Sequence, residues 1–170
     1  MTRLTGFAPV AAAPARVLIL GSMPGAASLA AGQYYAHPRN AFWRIMGELA
    51  GASPDLPYAQ RLACLQAQGI ALWDVLRHCE RPGSLDADIA PASMIANDFA
   101  GLFAAQPGIT RVLFNGATAG QCFRRHVLPG LDAALVGRLT LIGLPSTSPA
   151  HAGMSYDAKL ARWREALAAA

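Results

Sequence analysis

The stretch VLILGSMPG, residues 17–25, sets four apolar residues directly before a segment with two glycines and a proline. Short uninterrupted apolar runs are typical of strands that are buried on both faces of a parallel sheet. The glycines and Pro24 let the chain turn sharply off the strand end and leave room for a ligand to approach the backbone. The stretch therefore predicts a buried strand that opens into a functional loop.

Three further apolar runs resemble the first, and the segments between them carry helical periodicity. The four predicted strands cover residues 16–20, 70–75, 111–114 and 139–144. The clearest helix has apolar residues at positions i, i+3, i+4 and i+7 of residues 42–49, with Asn40 placed to cap its start and Gly51 its end. Weaker helical patterns cover residues 58–68, 91–105 and 117–127, and a closing helix is predicted behind Ser155.

Strands that alternate with helices favour right-handed crossovers and a sheet covered on both faces. We therefore predict a three-layer α/β/α sandwich with a central, mostly parallel four-stranded sheet. Ligands bind such sheets beyond the carboxyl ends of the strands. Polar residues follow the predicted strands at those ends: Ser22, Asp74, Asn115 and the segment 146–148.

The totals predict a single domain over residues 1–170, with 54% hydrophobic residues to form its core. A net charge of +4 is a mild bias toward anionic partners, and it rests almost wholly on arginine because Lys159 is the only lysine. Three cysteines without paired spacing suggest neither a metal site nor a disulfide framework. No apolar run reaches the roughly 18 residues of a membrane span, so we expect a protein of the cytoplasm, away from membranes. We also expect it to be a monomer.

Several spaced motifs together resemble the uracil-DNA glycosylase superfamily, and within it the hypoxanthine-DNA (deoxyinosine) glycosylase branch. The main ones are GSMPG (21–25), QYYAHPRNAFW (33–43) and LPSTSPA (144–150). Shorter similar segments are LWDVL (72–76), CER (79–81), GSLD (83–86) and FNG (114–116), so the resemblance covers nearly the whole chain. It implies an enzyme that binds DNA carrying a deaminated base, flips the base out and hydrolyses its N-glycosidic bond in base excision repair.

The resemblance also implies roles for individual residues. Relatives with a Gly-Ile-Asn-Pro-Gly loop use its asparagine to hold the hydrolytic water, but Met23 stands there in this chain, so Asn40 is the implied catalytic amide. Tyr35 matches the aromatic residue that stacks on the flipped base, and Ser146 stands where relatives have histidine or asparagine. The four-cysteine iron–sulfur set of other branches is missing, and no cofactor is expected. The implied substrate-binding residues are Ser22, Met23, Pro24, Gly25, Tyr35, His37, Asp74, Asn115 and Ser146. The implied DNA-binding residues are Arg39, Thr147, Ser148, Pro149, Ala150 and His151.

Simpler interpretations stay open for several of these residues. Asn40 is well placed as a helix cap alone, and Asp74 and Asn115 are common capping or turn residues. The segment 21–25 could be a phosphate-binding turn, a nucleophile turn or a structural loop. The open alternatives for function are uracil or mixed specificity, a non-catalytic nucleic-acid-binding domain, and an esterase that uses Ser22 with His37 or His151 as base.

Overall fold

The computed structural model describes residues 2–168. The strands, in chain order, are β1 (Arg3–Thr5), β2 (Val17–Gly21), β3 (Ile70–Asp74), β4 (Leu76–Glu80), β5 (Ile95–Ala96), β6 (Arg111–Asn115) and β7 (Thr140–Leu144). The helices are α1 (Ala26–Ala31), α2 (Phe42–Ala50), α3 (Tyr58–Ala67), α4 (Phe99–Ala105), α5 (Ala117–His126), α6 (Ala133–Arg138) and α7 (Tyr156–Ala168). Short 3-10 turns cover Asp86–Asp88, Pro91–Ser93 and Leu128–Gly130.

The central sheet has the strand order β3-β2-β6-β7, and all its neighbouring strands are parallel. One face packs against α4 and α5 through a cluster that includes Leu20, Phe114 and Phe123. The other face packs against α2 and α7 through Ile19 and Trp163. The predicted three-layer α/β/α sandwich is therefore confirmed, and each predicted strand of the central sheet lies within one residue of its observed position.

The predicted helix over residues 91–105 is wrong in its first half. The chain forms a 3-10 turn at Pro91–Ser93 and the short strand β5 before α4 begins at Phe99. The Asp98 carboxylate accepts a hydrogen bond from the Gly101 N–H at 3.0 Å, which fixes the start of the helix there. Strand β5 belongs to a small antiparallel sheet, β1-β4-β5, that the sequence analysis did not predict.

Asn40 caps helix α2, as predicted, but it lies one residue before the usual capping position. Ala41 is the residue that precedes the helix, and the Asn40 side-chain Oδ1 accepts a hydrogen bond from the Phe42 N–H at 2.9 Å. The helix ends as predicted at Gly51, whose φ of 73° is a left-handed conformation that favours glycine. The Asn40 amide is therefore held just before the first turn of α2 by its bond to the Phe42 N–H.

No helix within residues 2–168 is both long enough and apolar enough to span a membrane.

Candidate active site

A cavity of about 550 Å³ opens at the carboxyl end of the central sheet. Among the residues that line it, the ones predicted from the sequence are Ser22, Met23, Pro24, Gly25, Tyr35, His37, Asn40, Asp74, Asn115, Ser146, Thr147, Ser148, Pro149, Ala150 and His151. Arg39 is exposed and does not line the cavity. Strands β2, β3 and β6 and the start of α2 thus bring together residues from across the chain.

Close packing at the end of β2 explains why the glycine loop, residues 21–25, begins with Gly21. A Cβ atom there would lie 2.5 Å from Asp74 Oδ1 and 3.2 Å from the Tyr35 hydroxyl, so no side chain fits. The loop is held from behind by Arg81, which is only 4% exposed. The Arg81 Nη2 donates to the Pro24 carbonyl at 2.7 Å, and its Nε donates to the Gly83 carbonyl.

Ser22 is engaged inside the cavity by a carboxylate and not by a histidine. Its hydroxyl donates a hydrogen bond of 2.6 Å to Asp86 Oδ1, and within residues 2–168 it has no bond to His37 or His151. A serine nucleophile needs an adjacent base that takes its proton and that is itself held in place. The arrangement therefore argues against the esterase alternative.

Tyr35 is held in an unusual backbone conformation. Its φ of 55° is the left-handed region, which bulky residues rarely adopt, and it is the only non-glycine residue with positive φ among those described. Its ring stacks on Phe42, with centroids 4.0 Å apart and planes 25° apart. Because Phe42 covers one face of the ring, a base can stack only on the opposite face. Strain of this kind is most often retained at functional sites.

The preceding residue, Tyr34, anchors this conformation. Its hydroxyl donates to the Ala8 carbonyl at 2.8 Å, and its own carbonyl accepts from the Trp43 indole at 2.8 Å. Its backbone N–H donates to the Tyr58 hydroxyl at 3.0 Å. Tyr34 is therefore a buried structural residue, and the aromatic face offered to a ligand belongs to Tyr35.

Asp74 is a buried polar group of the cavity whose carboxylate is not fully hydrogen-bonded. It is 3% exposed, and its Oδ2 has no hydrogen-bond partner in the described part of the chain. Burial, and to a smaller extent the nearby negative charge of Asp86, raise the pKa of this carboxyl to about 7, although Arg81 acts in the opposite direction. A buried, unpartnered oxygen in a cavity is an uncommon arrangement that a bound ligand can satisfy.

Asn40 and His37 lie at the start of α2 with defined hydrogen-bonding capacity. The bond from Phe42 uses one lone pair of Asn40 Oδ1, so the second lone pair and the Nδ2 hydrogens remain. The His37 Nδ1 accepts a hydrogen bond from the Arg39 N–H at 3.1 Å. A neutral His37 in this geometry carries its proton on Nε2, which makes that atom a donor.

Thr147 differs from the prediction of a DNA contact. It is 1% exposed, its N–H donates to Asn115 Oδ1 at 2.9 Å, and its hydroxyl accepts from Asn115 Nδ2 at 2.9 Å. Its carbonyl also accepts from the Ala41 N–H at 3.0 Å. Thr147 therefore links its own loop both to the end of β6 and to the start of α2. Because of these bonds, Asn115 keeps only one lone pair and one N–H for any ligand.

Helix α7 holds both ends of the rim loop, residues 145–151. The Trp163 indole donates to the Pro145 carbonyl at 3.1 Å, and the Lys159 ammonium donates to the His151 carbonyl at 2.7 Å. Lys159 is buried and is not among the residues that line the cavity. The sequence analysis gave this lysine no role, because nothing in its spacing links it to a loop that precedes it.

The sequence analysis also missed the second wall of the cavity. Ser84, Leu85, Asp86 and Ala87 line it, on a segment that follows β4. The GSLD motif, residues 83–86, was the available signal, since it resembles the same branch but carried no assigned role. Within residues 2–168, no group of three or more His, Cys, Asp or Glu side chains is arranged to hold a metal ion.

Comparison with known proteins shows the family. A family model described as the uracil DNA glycosylase superfamily matches residues 8–168. Two proteins named hypoxanthine DNA glycosylase, from Methanosarcina barkeri and Methanosarcina acetivorans, are 39% and 38% identical over 117 residues, which is 68% of this chain and 73% of each relative. The chain belongs to the uracil DNA glycosylase superfamily, as its motifs predicted.

A solved structure shows the same fold. It is the solution NMR structure of a candidate uracil DNA glycosylase from Methanosarcina acetivorans, with 33% sequence identity and a TM-score of 0.79. The similarity covers 98% of this chain and 97% of the other. The sandwich fold therefore has a counterpart in an experimental structure.

The raised pKa of Asp74 predicts a cost in stability that depends on pH. Between its ordinary pKa of 3.8 and the folded value of about 7, the folded carboxyl binds a proton that the unfolded one has lost, so stability falls as pH rises across that window. The Asp74→Asn variant removes this slope. We expect the Tm of the wild type to fall relative to the variant by roughly 5–10 °C from pH 4 to pH 7. Thermal unfolding followed by circular dichroism checks this, and parallel profiles would contradict a raised pKa.

Proposed function

We propose that the protein is a monofunctional DNA glycosylase that removes hypoxanthine from DNA by hydrolysis of the N-glycosidic bond in base excision repair. The observation that carries the proposal is the convergence, in one cavity, of a polarised amide, a free aromatic face and an unpartnered carboxyl, contributed by Asn40, Tyr35 and Asp74. The names of the two relatives support hypoxanthine as the base.

The enzyme acts on a base that has left the duplex. A base inside a helix is out of reach, so the damaged nucleotide is extruded at a cost of a few kcal/mol, which is smallest where its pairing is already weak. Hypoxanthine opposite thymine is such a base. In the cavity the base stacks on the face of Tyr35 that Phe42 leaves free.

Asp74 contacts the polar edge of the flipped base. Its Oδ2 has no hydrogen-bond partner within residues 2–168, and a purine with an N1–H and an O6 can bind it in either protonation state. The ionised carboxylate accepts from N1–H, whereas the neutral acid donates to the exocyclic oxygen or to a ring nitrogen. Asn115 supplies its remaining lone pair and N–H, and the glycine loop with Ser22 and Met23 forms part of the cavity wall.

Cleavage separates charge, because the leaving base takes the electrons of the glycosidic bond and leaves a cationic sugar. Preorganised donors that meet the developing anion lower this barrier most. The Nε2–H of His37 and the hydroxyl of Ser146 are the available donors on the rim. Asn40 orients a water toward C1′ through its free Oδ1 lone pair. Once the C1′–N bond has broken, this water forms the C1′–O bond to the cationic sugar, and the proton that the water loses neutralises the negative charge of the released base.

The rim loop and the start of α2 bind the DNA strand on either side of the lesion. Arg39 is exposed next to the cavity and suits contact with a DNA phosphate. Contacts to the minor groove of the DNA come from Ser148, Pro149, Ala150 and His151. Thr147 supports that loop from inside.

We propose that the protein works as a monomer, as a single domain, and in the cytoplasm, where its free cysteines stay reduced.

Replacement of Asn40 separates its catalytic role from its capping role. The Asn40→Ala variant loses both, whereas Asn40→Ser keeps a side-chain oxygen for the Phe42 N–H but removes the amide. We expect both variants to lose roughly 100- to 1000-fold in single-turnover base release, the range for a lost preorganised group. DNA affinity should be retained, and the Tm should be lowered in Asn40→Ala only. Full activity of Asn40→Ser would show that Asn40 is only a helix cap.

The reaction should stop at an abasic site. A lyase step needs an amine nucleophile, and the only lysine of the chain is Lys159. Burial lowers the pKa of Lys159, but its ammonium is bound to the His151 carbonyl outside the cavity. Denaturing electrophoresis of a deoxyinosine duplex after reaction should therefore show an intact strand that alkali cleaves. Strand breaks that precede alkali would contradict a purely hydrolytic enzyme.

A further inference from the structure

The side chains that line the cavity carry negative charge. Within residues 2–168, two carboxylates line it, Asp74 and Asp86, and no lysine or arginine does. The protein as a whole has a net charge of +4, so the cavity departs from the rest of the chain. DNA is a polyanion, and acidic side chains weaken its binding. A negative cavity in a basic protein is therefore better suited to a positive charge that forms inside it than to the phosphates outside.

The two carboxylates lie at different depths. Asp74 is 3% exposed at the end of β3, and its Oδ2 has no hydrogen-bond partner in the described part of the chain. Asp86 is exposed, on the 3-10 turn Asp86–Asp88 that follows β4. The sugar of a flipped nucleotide stays attached to the strand, so it lies nearer the mouth of the cavity than the base does. Asp86 is therefore the carboxylate on the side of the sugar, while Asp74 meets the base.

Hydrogen bonds hold Asp86 in place. Its Oδ1 accepts the bond of 2.6 Å from the hydroxyl of Ser22, which is itself 7% exposed on the glycine loop. Its carbonyl accepts from the N–H of the buried Ile89 at 3.1 Å. A carboxylate has about four acceptor sites, so the bond from Ser22 leaves others for a water. Asp86 is thus oriented before the substrate arrives, as a group that stabilises a developing charge must be.

We propose that Asp86 is a second catalytic residue, which stabilises the cationic sugar and accepts the proton of the attacking water. This rests on the proposed function. The amide of Asn40 orients the water but is too weak a base to take its proton, whereas a carboxylate can take it. The C1′–N bond breaks first and leaves its electron pair with the base. The water then forms the C1′–O bond, and its proton passes to Asp86. Asp86 gives that proton up to the anion of the base, which restores the carboxylate.

Replacement of Asp86 by asparagine separates its charge from its support of the wall. Asp86→Asn keeps an oxygen that accepts from Ser22, and Asp88→Asn is the matched control, because Asp88 lies on the same turn but does not line the cavity. We expect Asp86→Asn to lower single-turnover base release at saturating enzyme by roughly 100- to 1000-fold. Its affinity for the duplex should be unchanged or higher, since a negative charge near DNA is removed. Asp88→Asn should match the wild type. Release by Asp86→Asn at the wild-type rate would overturn the proposal and leave Asp86 a support of the wall.

A binding measurement tests the same charge without any reaction. One duplex carries a pyrrolidine, which is a cation at neutral pH, in place of the deoxyribose of the lesion, and the other carries the neutral tetrahydrofuran. We expect the wild type and Asp88→Asn to bind the pyrrolidine duplex at least about 10-fold more tightly, and Asp86→Asn to bind the two within about 2-fold. Equal binding by the wild type, or a preference that Asp86→Asn retains, would refute the role of Asp86. If the wild type releases no base at all, the proposed function fails, and the pyrrolidine preference still decides whether Asp86 stabilises a cationic sugar.

Discussion

Two parallel hydrogen-bonded ladders on either side of β2 fix where the chemistry of this protein can occur. Their registers pair Gly21 with Asp74 on one side and Leu20 with Phe114 on the other, so that the strand ends arrive at one edge. The ladder to β3 continues past the strand, because the Ser22 carbonyl accepts from the Leu76 N–H at 3.0 Å. The glycine loop is therefore an extension of the sheet, with little freedom to move as a separate flexible segment.

The fixed strand ends bury polar groups in the cavity that would be destabilising in an apolar core. Among the residues that the structure describes, neither Asp74 Oδ2 nor the Tyr35 hydroxyl has a hydrogen-bond partner, and Tyr35 has a left-handed backbone conformation. Each of these features lowers stability, and the two apolar clusters on the faces of the sheet offset that cost. Polar groups left unsatisfied by the protein are the ones that a ligand can satisfy, which is why the cavity and the destabilising residues coincide.

The sequence predicted the strands and helices that short apolar runs and helical periodicity encode. It predicted fewer of the features that depend on contacts between distant segments. Residues 17–21 and 42–50 follow directly from their patterns. Strand β4 includes Arg77 and His78, and its buried and exposed positions do not alternate regularly, so its sequence does not predict a strand. It is a strand because β1 and β5 pair with it. In the site, most of the predicted residues line the cavity. The supporting bonds of Arg81, Asp86 and Lys159 were not predicted, because they run to carbonyl or hydroxyl groups elsewhere in the chain, and local sequence does not record such bonds.

The proposed function requires that this cavity accept a deaminated purine and that the enzyme release it from DNA. The most direct measurement is mass spectrometry of the free bases released from matched duplexes that carry hypoxanthine, uracil or xanthine. The account predicts free hypoxanthine as the main product, at a higher rate opposite thymine than opposite cytosine because the weaker pair is easier to open. Release of uracil alone would contradict the assignment of the base, and the absence of any free base would contradict the glycosylase itself.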